Sequence, residues 1–257
     1  MKSLIQILKS LKKSGVVAVK QSLEDEGASF KDIEVMRKIT RAAKINLNVK
    51  IGGCEAKNDI FFCRKIKTNS IVAPMVESKY ALKKFIECVG EKKKISLLVN
   101  LETDLSLKNL NSMIESKYFR FLDGIVIGRS DLAGSMDLKK KDVNSYKVFN
   151  KVRNSFFKIK KSSKKDMIFK MGGSITPKSI KIIGKLYNDK LLHRIETRNI
   201  EIKLSKDIIN NLDKIILKAF EFELEWLKYQ IIKNKKNKFI FKNHLYRIKE
   251  IENRLKN

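Results

Sequence analysis

The sequence predicts an α/β fold with a parallel sheet, on two observations. Apolar runs of strand length alternate with segments of helical periodicity along most of the chain, and two of those runs end by delivering a carboxylate. The length of 257 residues accommodates one α/β barrel rather than two ordinary domains. The expectation is therefore a TIM-type (β/α)8 barrel over residues 1–205, with one strand short, irregular or missing near the N-terminus. A C-terminal helical extension over 206–257 follows it.

The elements follow in order. Leu4 to Lys12 reads as an amphipathic helix ending before Gly15, and Val16 to Lys20 as the first strand. The polar loop SLEDEGAS (Ser22 to Ser29) precedes a helix over Phe30 to Ala43 with Phe30, Ile33, Met36 and Ile39 at helical spacing. Leu47 to Ile51 is a strand closing on Gly52 and Gly53, Ala56 to Lys67 is helical, Ser70 to Met75 is a strand and Tyr80 to Val89 is helical. Next come a strand over Ile95 to Leu101, a helix over Leu105 to Ile114 and a strand over Ile125 to Ile127. After Met136 the pattern thins: a helix over Tyr146 to Phe157, a strand over Met167 to Met171 opening onto Gly172 and Gly173, a helix started by Pro177, and a strand over Leu191 to Glu196 leading into the loop Thr197 to Asn199. That makes seven strands.

A long helix is expected over Lys206 to Lys228, then a basic helix after Lys233 with sparse anchors at Phe239, Phe241, Leu245 and Ile248. Such an extension either makes an oligomer contact or folds back on its own barrel.

The unit from Ile95 to Met136 carries the chemistry. A strand, helix, strand unit crosses over right-handedly, so Glu102 and Asp131, just past the two strands, emerge at one end of the sheet. That is the end where α/β proteins keep their sites. Two carboxylates without Cys or His suit a hard cation such as Mg2+ whose other positions go to water or substrate oxygen. The bland alternative is that Asp131 only caps the helix after it.

Composition excludes several classes. The formal charge of +29, from 57 Lys plus Arg against 28 Asp plus Glu, suggests nucleic acid or an anionic membrane. However, the excess is mostly Lys scattered along the whole length, and no nucleic-acid-binding motif accompanies it, so no specific nucleic-acid partner is expected. Cys54, Cys63 and Cys88 lack metal-ligand spacing, which fits buried packing in a reducing cytoplasm. Neither a secretory leader nor the ~20-residue apolar run of a membrane span is expected.

The segments LLVNLETDLSLKNL (Leu97 to Leu110) and GIVIGRSDLAGSM (Gly124 to Met136) resemble consecutive signatures of the HpcH/HpaI aldolase and citrate lyase family, and IVAPMVES (Ile71 to Ser78) is similar to a third. The resemblance implies a Mg2+ or Mn2+ ion on Glu102 and Asp131. It also implies a turn, Gly128, Arg129 and Ser130, that holds the carboxylate of pyruvate or another 2-oxo acid, a shared enolate intermediate, and C-terminal helices exchanged in a homo-oligomer. Where the family has an enolate-stabilising Arg this chain has Lys50, a positive charge without the planar fork. Where the aldolase branch has a loop His this chain has LEDEGAS, leaving Asp25 or Glu26, or Glu24, as a carboxylate base. Citrate lyase type members also lack that His and act on acyl thioesters or related substrates. Glu55, beside Lys50 at the same strand end, is a further substrate-binding candidate. Glu196 is expected to pair with Arg198, the alternative being that Arg198 reads a substrate anion, and His193 is expected to pack. The rival expectation is a barrel that has lost catalysis and serves as a binding or assembly subunit.

Overall fold

The computed structural model of the chain describes residues 1–24, 26–91, 94–163, 165–233 and 238–256, and the side chains of all of these except 238–240 and 256. The candidate base Asp25 and the anchor side chain of Phe239 therefore lie outside the described residues. The chain opens with α1 (Lys2–Lys13), which buries Leu4, Leu8 and Leu11, and enters β1 (Val16–Ser22). Ser29 caps α2 (Phe30–Ala43), accepting from the Asp32 N–H while the Asp32 carboxylate receives the Ser29 N–H, so this helix begins where the polar loop ends. There follow β2 (Asn46–Lys50), α3 (Lys57–Lys65), β3 (Ser70–Ala73), α4 (Lys79–Val89) and β4 (Ser96–Asn100). The helix expected over Leu105 to Ile114 is two short ones, α5 (Asp104–Lys108) and α6 (Leu110–Ile114), broken at Asn109, whose side chain donates to the Glu77 carbonyl. Then come β5 (Gly124–Gly128), α7 (Arg129–Gly134), α8 (Tyr146–Ser162), β6 (Ile168–Gly172), α9 (Ile180–Asn188) and β7 (Arg194–Glu196).

The eighth strand is β8 (Ile200–Lys203), after β7 and not near the N-terminus. It runs antiparallel to β7 and to β1, closing the barrel in chain order. The connection over Thr197 to Asn199 explains this direction. Parallel neighbours need a crossover of a dozen or more residues, whereas a few residues allow only a hairpin.

Residues alternate across each strand, and the interior they line is divided. Val72, Leu98 and Val126 form an apolar cluster separate from the main core. The opposite wall is charged. Glu201 is fully buried and accepts from Lys170 Nζ at 2.6 Å, Arg194 Nη1 at 2.6 Å and Asn48 Nδ2 at 2.5 Å. Burial opposes ionisation of Glu201, but Lys170 and Arg194 outweigh it and hold the carboxyl below its usual range. Burial pushes the Cys63 thiol up to about 12 and the Cys54 thiol to about 11, as unreactive packing residues behave.

The expected long C-terminal helix is divided at Asn211 into α10 (Lys206–Asn210) and α11 (Leu212–Lys233), and α12 (Lys238–Lys256) follows. α11 packs on α1, and α12 folds back on α11. Of the expected anchors, Ile248 is buried while Leu245 is exposed, and Ile251 takes the inner position instead. Among the described residues no helix is long and apolar enough to cross a membrane.

Candidate active site

A cavity of ≈ 470 Å³ opens at the C-terminal ends of the parallel strands. Lys50 ends β2, Asn100 ends β4, Gly128 ends β5, Gly172 ends β6 and Glu196 ends β7, so five strands each deliver a lining residue. Glu102, just beyond β4, is buried and held on both oxygens. Oε1 accepts from the Met75 N–H at 3.1 Å, and Oε2 accepts from Asn100 Nδ2 at 2.8 Å. Buried Lys50 brings its Nζ to 3.6 Å from Oε1.

Asp131 lies in the first turn of α7, which has no side-chain cap, and it lines the same cavity. A Cβ on Gly128 would sit 2.7 Å from Glu102 Oε2 and 3.7 Å from Asp131 Oδ2. Glycine there keeps open the space that both carboxylates flank. The donors are hard oxygens without Cys or His, the set that suits Mg2+ or Mn2+ with water and substrate completing the shell. No cluster of three or more His, Cys, Asp or Glu side chains placed to hold a metal occurs among the described residues.

Gly173 has φ +78°, and a Cβ there would meet Ser130 N at 2.4 Å and Arg129 N at 2.6 Å. Only glycine leaves room in front of these two amides at the start of α7. The Ser130 and Ser174 hydroxyls are 2.9 Å apart beside them. The Arg129 side chain is turned elsewhere. Its guanidinium is buried and donates to Asn144 Oδ1 at 2.6 Å and to the carbonyls of Gly172 and Gly173, tying β6 to α7, and burial lowers its pKa to about 10. Arg129, expected to bind substrate, is not among the cavity-lining residues; Gly128, Ser130 and Asp131 around it are.

Glu26 also lines the cavity. Its Oε2 accepts from Asn199 Nδ2 at 3.0 Å and from the Ser22 N–H at 3.4 Å. Burial raises its pKa from the ordinary 4.5 to about 7, against the opposing charges of Arg198 and Lys20. Glu55 is not among the lining residues; it is exposed and pairs with Lys84 at 2.8 Å.

Sequence reasoning missed other cavity residues. Glu196 does not pair with Arg198. It lies 3.6 Å from Lys170 and 4.0 Å from Lys20, and its buried Oε1 has no hydrogen-bond partner. β7 alternates, so Glu196 faces inward while Arg198, in the turn beyond, meets Glu26 and Glu223 at 3.8 and 4.0 Å. The available signal was a Lys inside an otherwise buried strand, as at Lys170 between Phe169 and Met171. His193, expected to pack, is exposed; its ring stacks on Phe169 with centroids 5.4 Å apart, and its Nδ1 accepts from the Phe169 N–H at 2.9 Å. Phe220 of α11 and Arg247 and Arg254 of α12 complete the mouth, and nothing local in the sequence points to them.

Comparison with known proteins agrees with this architecture. Solved structures with the same fold include an HpcH/HpaI aldolase from Desulfitobacterium hafniense (10% identity, TM-score 0.61, 75% of this chain and 81% of that one). They also include the citrate synthase SbnG (14%, 0.62, 84% and 89%) and an HpcH/Hpal aldolase/citrate lyase family protein from Burkholderia cenocepacia J2315 (12%, 0.61, 85% and 90%). No curated protein matches. The HpcH/HpaI aldolase/citrate lyase family model matches residues 32–170, more than half of the chain and the span containing Lys50, Glu102 and Asp131. The chain belongs to the HpcH/HpaI aldolase/citrate lyase family.

Proposed function

We propose that the chain is a carbon-carbon lyase or aldolase dependent on Mg2+ or Mn2+, acting on a pyruvate-like 2-oxo acid or an acyl thioester. The observation that carries this reading is the pair of carboxylate oxygens flanking the side-chain position left open by Gly128. Glu102 and Asp131 would hold the ion. Bound there, it supplies a Lewis acid for the substrate carbonyl and for the negative charge that develops on its oxygen.

The remaining steps belong to side chains. Asn100 and the Met75 N–H fix the direction of Glu102, which sets where an ion would sit. Lys50 adds a buried positive charge on the same side of the cavity, where it stabilises additional negative charge without reorganising. Ser130, which lines the cavity beside Gly173, orients the substrate carboxylate through its amide and hydroxyl. Glu26, titrating near neutrality, takes the proton from the carbon next to the carbonyl and returns it, with Asn199 holding its orientation.

Exchange of the pyruvate methyl protons for deuterium, followed by NMR, tests the proposal. Exchange should require Mg2+, vanish in Glu102→Ala and slow in Glu26→Gln. If neither pyruvate nor a panel of 2-oxo acids and acyl thioesters exchanges with Mg2+ present, the chain is a binding or assembly subunit instead.

A further inference from the structure

We propose that Glu196 is a second acid-base group of the reaction, one that takes the proton from the substrate hydroxyl as the neighbouring carbon-carbon bond breaks. This role rests on the lyase reading, in which Glu26 serves only the carbon next to the carbonyl.

Two glycines bring Glu196 within reach of the space flanked by Glu102 and Asp131. Gly128 of β5 and Gly172 of β6 both line the cavity and are register partners on adjacent parallel strands, which stand ~4.8 Å apart in a sheet. A Cβ on Gly128 would approach the carboxylates of Glu102 and Asp131, and a Cβ on Gly172 would lie 3.8 Å from Glu196 Oε2. With neither Cβ present, one gap crosses both strands, from Glu102 and Asp131 at one side to Glu196 at the other. A substrate whose carbonyl sits by Glu102 and Asp131 extends along this gap and brings its hydroxyl to Glu196.

Glu196 is held differently from the other buried carboxylates. Glu102 accepts hydrogen bonds on both oxygens, and Glu201 accepts three. Glu196 is 4% exposed, and its Oε1 has no hydrogen-bond partner among the described residues. The neighbouring cations stand off, Lys170 Nζ at 3.6 Å from Oε1 and Lys20 Nζ at 4.0 Å from Oε2. They balance the charge of Glu196 without occupying its lone pairs. Lys170 makes its short contact with Glu201 instead, at 2.6 Å. A buried carboxylate left without hydrogen bonds costs stability, and a hydroxyl lying along the gap supplies the missing donor.

In the cleavage direction the hydroxyl proton passes to Glu196, and the C–O bond becomes the carbonyl of the departing half. The carbon-carbon bond breaks, and its electron pair passes to the retained half as negative charge shared between the carbon and the carbonyl oxygen. Glu26 gives a proton to that carbon. Glu196 then releases its proton to water, and Glu26 regains one. Synthesis runs the same transfers in reverse.

Two assays on the full-length protein with Mg2+ separate the two groups. Exchange of the protons next to the carbonyl, followed by NMR on pyruvate and on acyl thioesters, needs Glu26 and not Glu196. Cleavage of a panel of 4-hydroxy-2-oxo acids and 3-hydroxyacyl thioesters, followed by the carbonyl product, needs both. Glu196→Gln keeps the side-chain shape; it should lower kcat for cleavage about 100-fold or more while KM stays within about threefold and exchange within about twofold. Loss of exchange and cleavage by the same factor, or cleavage that Glu196→Gln leaves unchanged, overturns the inference and leaves the lyase reading standing. Wild-type protein that exchanges but cleaves none of the hydroxylated substrates does the same. Absence of exchange in the wild-type protein sinks the lyase reading and this inference with it.

Discussion

Glu26→Gln isolates the cost of ionising a carboxyl that the fold buries. Gln keeps an acceptor for Asn199 and the Ser22 N–H, and it cannot ionise. In the wild-type chain Glu26 is protonated in both folded and unfolded states below its ordinary value of 4.5. Above 4.5 the unfolded chain ionises first, because the folded value is raised to about 7. Stability is therefore fully present below 4.5 and declines as pH rises, the loss being complete above about 7. A shift of that size corresponds to about 3 kcal/mol. Urea unfolding of both proteins at about pH 4.5 and about pH 8 measures it, since all other titrating groups are shared and cancel in the difference. The variant should gain about 3 kcal/mol on the wild type between the two conditions. A difference independent of pH would show that burial does not raise the Glu26 carboxyl, and one of opposite sign would mean that Arg198 and Lys20 outweigh burial.

Three further substitutions and one control probe the frame around the site. Glu201→Gln breaks a buried cluster and should lower stability by roughly 3–5 kcal/mol in urea unfolding; a loss below about 1 kcal/mol would show the charges to be dispensable. Gly173→Ala forces a Cβ against two backbone amides at positive φ, and should cost at least about 2 kcal/mol by the same assay. Gly134→Ala, with nothing within 4 Å of the added Cβ, is its tolerated control. Gly128→Ala should displace the Glu102 carboxylate, weakening Mn2+ binding by roughly tenfold or more with circular dichroism unchanged; unchanged affinity would exclude the space between the carboxylates as the ion's position.

The strands most legible in the sequence are those buried on both faces, because helices cover the outside and side chains fill the inside. β4 and β5 read as continuous apolar runs for that reason. β8 did not. IEIK is four residues long, alternates, and follows the previous strand through a turn too short to look like a barrel connection. The same alternation hid the inner charged wall: Asn48, Lys170 and Glu201 each stand between two apolar residues of their strands, and each is meaningful only once its neighbours are known. Glu102 and Asp131 were legible because each closes an apolar run within one compact unit. Arg247 and Arg254 were not, because the fold-back of α12 is a tertiary choice that no local spacing records. Glu55 was misplaced because the chain turns outward at Gly52 and Gly53 and sends that carboxylate to Lys84.

The proposed reaction stands or falls on whether Glu102 and Asp131 hold a divalent ion on which a 2-oxo acid binds. Calorimetric titration of metal-stripped protein with Mn2+, in the absence and presence of oxalate as a planar mimic of the pyruvate enolate, tests it most directly. Mn2+ should bind, oxalate should bind only with Mn2+ present, and Glu102→Ala should lose both. Mn2+ and oxalate binding that Glu102→Ala and Asp131→Ala leave unchanged would contradict it.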